Sequence, residues 1–306
     1  MRRHGKTLLK LGIGIAILLY LFRRIGFANI AATMASINPI CIPVVLCALM
    51  SAHAVHGLTL QILAMGHSVS LGYCTLVSLR SWIWGLITPA RAGEVSMIYY
   101  FKQAGIPLGD ATAIAFIDRL SVLILVVILA FSGAVFYEFD ALAWHIVLAS
   151  FVVAVLSGSL LLFRGVRGWI GRTIFGRYQE HFSGFVPRLK TTVTEQPLRL
   201  AGVMTIQFLR LLALYAVTKL VFYFIGENVR FLDVCLISSI AWIIALLPVS
   251  VNGLGIKEGV QVLLYKRYAG IDEASALAVA IWVGVILYCT AFAVYGFLTI
   301  SSKKED

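Results

Sequence analysis

Long apolar runs alternate with short polar breaks along the chain. Six of these runs predict membrane-crossing helices, at residues 8–22, 40–65, 111–136, 141–163, 198–225 and 274–300. A helix crosses about 30 Å of hydrocarbon with roughly 20 apolar residues. Only helices and closed barrels satisfy their backbone hydrogen bonds there. The pattern therefore predicts an all-α polytopic membrane protein that forms a single domain over residues 1–306.

Two shorter apolar pieces end in breaks rich in proline and glycine. Residues 74–87 lead into a break with Pro89 and Gly93, and residues 232–247 lead into one with Pro248, Gly253 and Gly255. Both residue types favour sharp turns over a continuous helix. We therefore predict two re-entrant helical hairpins, at 74–104 and 232–269. If both arms of each hairpin cross the membrane fully, the number of helices rises to about ten and the positions of the termini do not change.

The same order of residue types follows each break. Glu94 is followed by Tyr99, Lys102, Gly105 and Asp110, and Glu258 by Tyr265, Lys266, Gly270 and Glu273. The two copies predict an internal repeat over 40–136 and 198–300. Counting crossings from a cytoplasmic amino terminus places the two hairpins on opposite sides of the membrane. Such inverted repeats with broken helices are typical of secondary transporters.

Composition and charge support a membrane location. Hydrophobic residues make up 60% of the chain and charged residues 13%, unlike a soluble globular domain. The net charge of +11 indicates cytoplasmic loops beside anionic lipid, rather than nucleic-acid binding. Residues 164–199 carry seven basic and two acidic residues and predict a cytoplasmic loop. Both termini are then cytoplasmic, and Arg23-Arg24 is the one feature that disagrees with this topology.

Charged residues within the apolar segments are the candidates for substrate binding. They are Arg80, Arg91, Glu94, Asp118, Arg119, Arg210, Lys257 and Glu258, with Asn252 as a polar neighbour. Ionisable residues inside membranes mark substrate or proton paths, and their cations suit a phosphate headgroup. The alternatives are structural. Arg80 and Lys102 would extend to the headgroup layer, and the acidic residues would pair with neighbouring cations.

Three polar pairs leave alternatives open. Asp118 and Arg119 either neutralise each other or take part in the path, with Arg119 as the central phosphate candidate. Gln207 and Arg210 share a helical face and would line the same cavity, unless Arg210 pairs with Asp118. His53 and His56 lie one turn apart without a third ligand, which favours core or cavity polarity over a metal site. We predict no metal and no cofactor.

The two breaks carry a family resemblance. Thr88-Pro89, Gly93-Glu94, Gly105 and Asp118-Arg119 in the first half, and Pro248, Gly253, Gly255, Glu258 and Gly270 in the second, resemble the flippase-like domain family, also called the lysylphosphatidylglycerol synthetase transmembrane region. The resemblance covers most of the chain. The first motif has Ala90-Arg91-Ala92 where a further glycine is expected. The chain is similar to the stand-alone form, without a synthase portion.

The resemblance implies movement of a lipid between leaflets. In that family the domain is associated with modified phospholipids or polyprenyl-linked lipids, in a bacterial or archaeal cytoplasmic membrane. The expected partners are lipids with anionic headgroups. Two other classes stay open: a non-transporting partner of a lipid synthase or glycosyltransferase, and a membrane-embedded lipid-modifying enzyme. The sequence contains no nucleophile elbow, zinc-protease motif or phosphate-binding loop, so catalysis is not predicted.

Overall fold

The computed structural model of the chain describes residues 2–138, 144, 148, 184–245, 250 and 253–302. Throughout this part all regular structure is helical. The α-helices are α1 Arg2–Ile25, α2 Phe27–Ala35, α3 Cys41–Leu63, α4 Leu71–Ile87, α5 Met97–Gln103, α6 Leu108–Phe136, α7 Phe185–Lys190, α8 Pro197–Phe224, α9 Phe231–Ala245, α10 Ile256–Leu264 and α11 Glu273–Ser302. A 3₁₀ helix, Pro89–Ser96, precedes α5, and the π turns Thr191–Glu195 and Tyr265–Ala269 extend α7 and α10.

Four of these helices are long and apolar enough to cross a membrane: α3, α6, α8 and the Glu273–Gly296 part of α11. Helices α1 and α2 meet at an angle of 89° and count together as a fifth, bent span. The bend lies at Gly26, whose φ of 92° no continuous helix accommodates. Five of the six predicted runs thus fall on these helices, and the run at 141–163 lies outside the described residues. The protein is an integral membrane protein.

The first predicted break is a turn that needs glycine at one position. Helix α4 ends at Ile87, and Thr88 is extended, with φ −109° and ψ 143°. Extended backbone is what the residue before a proline prefers. Gly93 donates its N–H to Thr88 Oγ1 over 2.6 Å. A Cβ at Gly93 would lie 2.2 Å from the Trp84 carbonyl oxygen, so any side chain there forces the turn apart.

The second break is described in part. Helix α9 ends at Ala245, and residues 246–249 and 251–252, with Pro248 and Asn252, lie outside the described residues. Gly253 and Gly255 have φ of 75° and 79°, the left-handed region that favours glycine. A Cβ at Gly255 would lie 2.4 Å from the Gly14 carbonyl oxygen. Helix α1 therefore packs directly on this turn.

Corresponding elements follow one another in the same order in the two halves. Helices α3, α4, α5 and α6 have 23, 17, 7 and 29 residues, and α8, α9, α10 and α11 have 28, 15, 9 and 30. Gly105 and Gly270, which precede the last long helix of each half, both have positive φ, of 83° and 69°. The halves contact each other where α3 packs on α8 and α6 packs on α9. The inverted orientation of the halves and the re-entrant path of the hairpins stay predictions.

Two basic residues of the predicted cytoplasmic loop bind the end of helix α3. Arg188 Nη2 donates to the Leu63 and Met65 carbonyl oxygens, each over 2.7 Å. Arg199 Nε donates to the Ile62 carbonyl oxygen over 2.7 Å. The last carbonyls of a helix have no partner within it and carry its negative partial charge. These two arginines therefore serve the fold, while residues 164–183 of the loop lie outside the described residues.

Candidate functional site

A cavity of about 240 Å³ lies between the two halves of the protein. Helices α3, α4 and α6 and the first break line it on one side, and α8, α9, α10 and α11 on the other. Its polar and aromatic lining residues include His53, His56, Ser78, Trp82, Arg91, Glu94, Arg119, Arg210, Trp242, Lys257, Gln261 and Tyr265. The structure thus brings together charged residues that are up to 166 positions apart, Arg91 and Lys257.

Asp118, on helix α6, is fully buried beside the cavity and accepts four hydrogen bonds. His56 Nε2 lies 2.9 Å and Gln207 Nε2 2.7 Å from Oδ1. Arg119 donates to Oδ2 from Nε over 2.9 Å and from Nη2 over 2.6 Å. A carboxylate has about four acceptor positions, so every one of them is used. This saturated carboxylate links α6 to α3 and to α8 of the other half.

Ser78 on helix α4 bridges two histidines of helix α3. Its Oγ lies 2.9 Å from His53 Nδ1 and 2.7 Å from His56 Nδ1. An ionised Asp118 only accepts, so a neutral His56 carries its hydrogen on Nε2 and accepts the Ser78 hydroxyl at Nδ1. The single Ser78 hydrogen is then used, and His53 donates to Ser78 from Nδ1. The chain therefore has one direction, from His53 through Ser78 and His56 to Asp118.

Glu94, in the first break, forms the second buried carboxylate of the site, with 6% of its surface exposed. Its Oε1 lies 2.6 Å from Arg91 Nη2, and its Oε2 pairs with Arg119 Nη1. The side chain packs across Gly85, where a Cβ would lie 2.4 Å from Glu94 Cγ. Two guanidinium groups, one from the break and one from α6, therefore converge on one carboxylate.

Arg91 holds an unusual backbone conformation. Its φ is 55°, in the left-handed region, which is uncommon for residues other than glycine. This is the stretch in which the sequence motif has arginine between two alanines and a further glycine is expected. The buried Nε of Arg91 has no hydrogen-bond partner among the described residues. Strained backbone of this kind is kept where the surrounding structure holds it in place.

Arg210 and Lys257 bring two more positive charges to the cavity from the second half. Neither forms an ion pair with any residue in the described ranges. Together with Arg91 and Arg119 they make four cations, and Glu94 and Asp118 supply two carboxylates. With neutral histidines, the site has an excess of two positive charges.

A comparison with protein families identifies the family of this chain. A family model described as the lysylphosphatidylglycerol synthase TM region matches residues 7–294. The chain belongs to this family. The match confirms the family resemblance and covers both halves of the cavity. No curated protein matches the chain.

Other predicted site residues of this family member lie elsewhere. The Arg80 guanidinium lies over the Tyr100 ring, 5.5 Å from its centroid, and Arg80 does not line the cavity. Glu258 Oε2 accepts the Gly255 N–H over 2.7 Å and caps the start of α10. Asn252 and Pro248 lie outside the described residues. Of the substrate-binding predictions, the structure thus brings together Arg91, Glu94, Asp118, Arg119, Arg210 and Lys257.

Sequence reasoning missed Ser78, which links the two histidines. A signal was present, because Ser78 and Ser81 lie three residues apart in an apolar helix and so share one face. Tyr265 and Gln261 were also missed as lining residues. Among the described residues, no group of three or more histidine, cysteine or acidic residues is arranged to hold a metal ion.

Proposed function

We propose that this protein moves an anionic phospholipid, or a lipid linked to polyprenyl phosphate, between the two leaflets. Transport is of the flippase or scramblase type. The headgroup binds in the cavity between the two opposed hairpins while the acyl or prenyl tails stay in lipid. The observation that carries this proposal is the excess of two positive charges in a cavity lined in part by α3, α6, α8 and α11, which are long and apolar enough to span a membrane.

The charge excess suits a phosphate. Charges inside a membrane are costly and are normally paired, yet Arg210 and Lys257 are unpaired within the described part of the chain. Guanidinium groups recognise phosphate oxygens with two parallel hydrogen bonds, and an ammonium adds a point charge. A phosphate of one or two negative charges therefore removes half or all of the imbalance.

The size of the cavity suits a headgroup alone. Its volume of about 240 Å³ is below the roughly 300–1,000 Å³ of pockets that enclose drug-sized ligands. A lipid with its tails exceeds it, so the tails have to remain outside.

The two halves supply different cations, Arg91 and Arg119 from the first and Arg210 and Lys257 from the second. A site built between two repeats suits alternating access, in which one half moves against the other. The sequence holds no nucleotide-binding loop, so we propose downhill or proton-coupled transport. We place the protein in the cytoplasmic membrane of a bacterium or archaeon, with both termini cytoplasmic.

Reconstituted vesicles test the proposal. Fluorescent phosphatidylglycerol, phosphatidylcholine and a polyprenyl phosphate are each placed in both leaflets, and an impermeant quencher reports how fast inner lipid reaches the outer leaflet. We expect faster exchange of at least one of the two anionic lipids than in protein-free vesicles. Arg119→Gln and Arg210→Gln should each abolish the acceleration, whereas Arg23→Gln, at the exposed end of α1, should retain it. Exchange at the protein-free rate for both anionic lipids rejects the proposal.

The same vesicles and variants distinguish transport from the two other functions, a lipid-modifying enzyme and a non-transporting partner. An enzyme changes the mass of the lipid, which mass spectrometry of the vesicles detects, whereas a transporter leaves it unchanged. A non-transporting partner of a synthase or glycosyltransferase relies on the basic loop and tolerates Arg119→Gln. Two cations of that loop, Arg188 and Arg199, are engaged with helix α3, which favours the transport proposal.

A further inference from the structure

Glu94 occupies the one point of the cavity where two guanidinium groups of the described residues converge on a single carboxylate. Each carboxylate oxygen faces one guanidinium, Oε1 that of Arg91 and Oε2 that of Arg119. A phosphate also presents two acceptor oxygens on one central atom, as a carboxylate does, so it can bind the same pair of guanidinium groups. We propose that Glu94 fills the subsite of the headgroup phosphate, and that the phosphate binds Arg91 and Arg119 by displacing it. This inference rests on the proposed function and names its binding subsite.

Glu94, rather than Asp118, is the exchangeable carboxylate. Asp118 is fully buried and accepts four hydrogen bonds from three side chains on three helices. Glu94 lines the cavity, and among the described residues its carboxylate forms ion pairs only with Arg91 and Arg119. An incoming anion therefore meets Glu94 directly and replaces both of its contacts without disturbing Asp118.

Two unpaired cations face this position from the other half. Arg210 and Lys257 line the same cavity and attract an anion before it reaches the first half. Once the phosphate has replaced Glu94, it lies among four cations. The displaced Glu94 side chain turns away from the two guanidinium groups, and Arg91 of the same break stays on the phosphate.

Displacement removes the direct ion pair between the first break and helix α6. Glu94 belongs to the short 3₁₀ helix Pro89–Ser96, and its pair with Arg119 connects that segment to α6. Arg91, in the same segment, keeps a φ of 55°. The break then keeps the Gly93 N–H bond to Thr88 Oγ1 and the Arg91 N–H bond to the Thr88 carbonyl oxygen. Binding of the headgroup is thereby coupled to movement of the first hairpin.

Binding of inorganic phosphate to the purified protein in neutral detergent tests the displacement. Calorimetric titration of Glu94→Gln should give binding about tenfold or more tighter than wild type, a gain of about 1.4 kcal/mol. Asp118→Asn is the matched control, because it removes the same charge beside the same Arg119, and its affinity should rise much less. Glu195→Gln removes an exposed carboxylate and should leave the affinity unchanged.

Three results overturn the inference. The first is a phosphate affinity of Glu94→Gln equal to or below that of wild type, and the second is a gain in phosphate affinity in Asp118→Asn equal to that in Glu94→Gln. The third is the absence of phosphate binding by both wild type and Glu94→Gln. If Asp118→Asn fails to fold, amide hydrogen exchange decides instead. Phosphate should accelerate exchange across 88–96 in wild type, and Glu94→Gln should exchange fast without phosphate. Unchanged protection in phosphate-bound wild type contradicts the displacement.

The two proposals fail separately. Vesicles that exchange lipid with wild-type protein while Glu94→Gln shows no tighter phosphate binding reject the subsite alone. Tighter phosphate binding by Glu94→Gln together with no lipid exchange rejects transport and leaves the subsite in place.

Discussion

His56 and Asp118 are 62 positions apart in the sequence, and the imidazole Nε2 of one lies 2.9 Å from the carboxylate Oδ1 of the other. This contact joins helices α3 and α6 within the first half, and Gln207 extends it to α8 of the second. The buried polar network therefore crosses the boundary between the halves.

The hydrogen-bond chain around Ser78 fixes two different histidine tautomers. At about pH 8, above the usual histidine pKa of about 6.5, nitrogen-15 NMR of histidine-labelled protein should show hydrogen on Nε2 of His56 and on Nδ1 of His53. Ser78→Ala should leave the hydrogen of His56 on Nε2, because Asp118 still accepts from it. In the same variant His53 should lose its preference for hydrogen on Nδ1.

Ser81→Ala is the control for that experiment. The Ser81 hydroxyl donates to the backbone carbonyls of Val77 and Ser78, within its own helix. Both histidine signals should therefore stay in place. A hydrogen on Nδ1 of neutral His56 contradicts the assigned direction of the chain.

Loss of the Asp118 carboxylate should destabilise the protein strongly. Asp118→Ala removes the shared acceptor of His56 and Gln207 and one of the two carboxylates paired with Arg119. Removing one member of a buried ion pair costs roughly 3–5 kcal/mol. Asp110→Ala, on the same helix, removes a partly exposed partner of His67 and should cost about 1 kcal/mol or less. Thermal unfolding in detergent measures both changes, and equal losses contradict the structural role given to Asp118.

The contact of helix α1 with the second break should not tolerate a methyl group. Gly255→Ala places a Cβ 2.4 Å from the Gly14 carbonyl oxygen and keeps a φ of 79°, a conformation that costs roughly 1–2 kcal/mol for other residues. Gly284→Ala, in α11, meets nothing within 4 Å and should be neutral or stabilise by about 0.5–1 kcal/mol. Melting temperatures decide the point, and an unchanged value for Gly255→Ala contradicts the packing of α1 on the break.

Asp272 should make the start of helix α11 sensitive to acid. Its Oδ1 accepts the Ala274 N–H over 2.7 Å and the Ser275 N–H over 3.1 Å. Burial raises the pKa of this carboxyl, but hydrogen bonds from Ser275 and Ala274 outweigh it, so the pKa lies below the usual value. The carboxylate therefore stabilises the folded state above the unfolded pKa of about 3.9, and this contribution is lost as the pH falls through the lower folded pKa.

Unfolding of Asp272→Ala between pH 7 and pH 3 measures that contribution. The variant should be less stable than wild type by about 1 kcal/mol at neutral pH, the usual value of a helix cap. The difference should be constant above about pH 5 and shrink below about pH 4. Asp272→Asn keeps a capping oxygen without the charge and should lie between Asp272→Ala and wild type at pH 7. A difference that does not depend on pH contradicts the capping role.

The sequence by itself determined the class of protein and the position of its main elements. The predicted runs 40–65 and 111–136 correspond to Cys41–Leu63 and Leu108–Phe136, because the length of an apolar run is set locally by the thickness of the hydrocarbon layer. Pro89, Gly93, Gly253 and Gly255 indicated the breaks, because turn geometry depends on the residue at the turn. The depth of Asp118 and Arg119 in their span also identified them as buried charges.

Only the tertiary structure decided which charged groups meet. In the fold, Glu94 lies between Arg91 and Arg119. Arg80 packs over the Tyr100 ring, and Glu258 caps the start of a helix. Ser78 became the bridge between two histidines, and Arg188 the cap of α3. Apart from the Arg91–Glu94 pair and the Glu258 cap, these contacts join residues 20 or more positions apart in the chain. They depend on how whole helices pack against each other, whereas the apolar pattern specifies each helix separately.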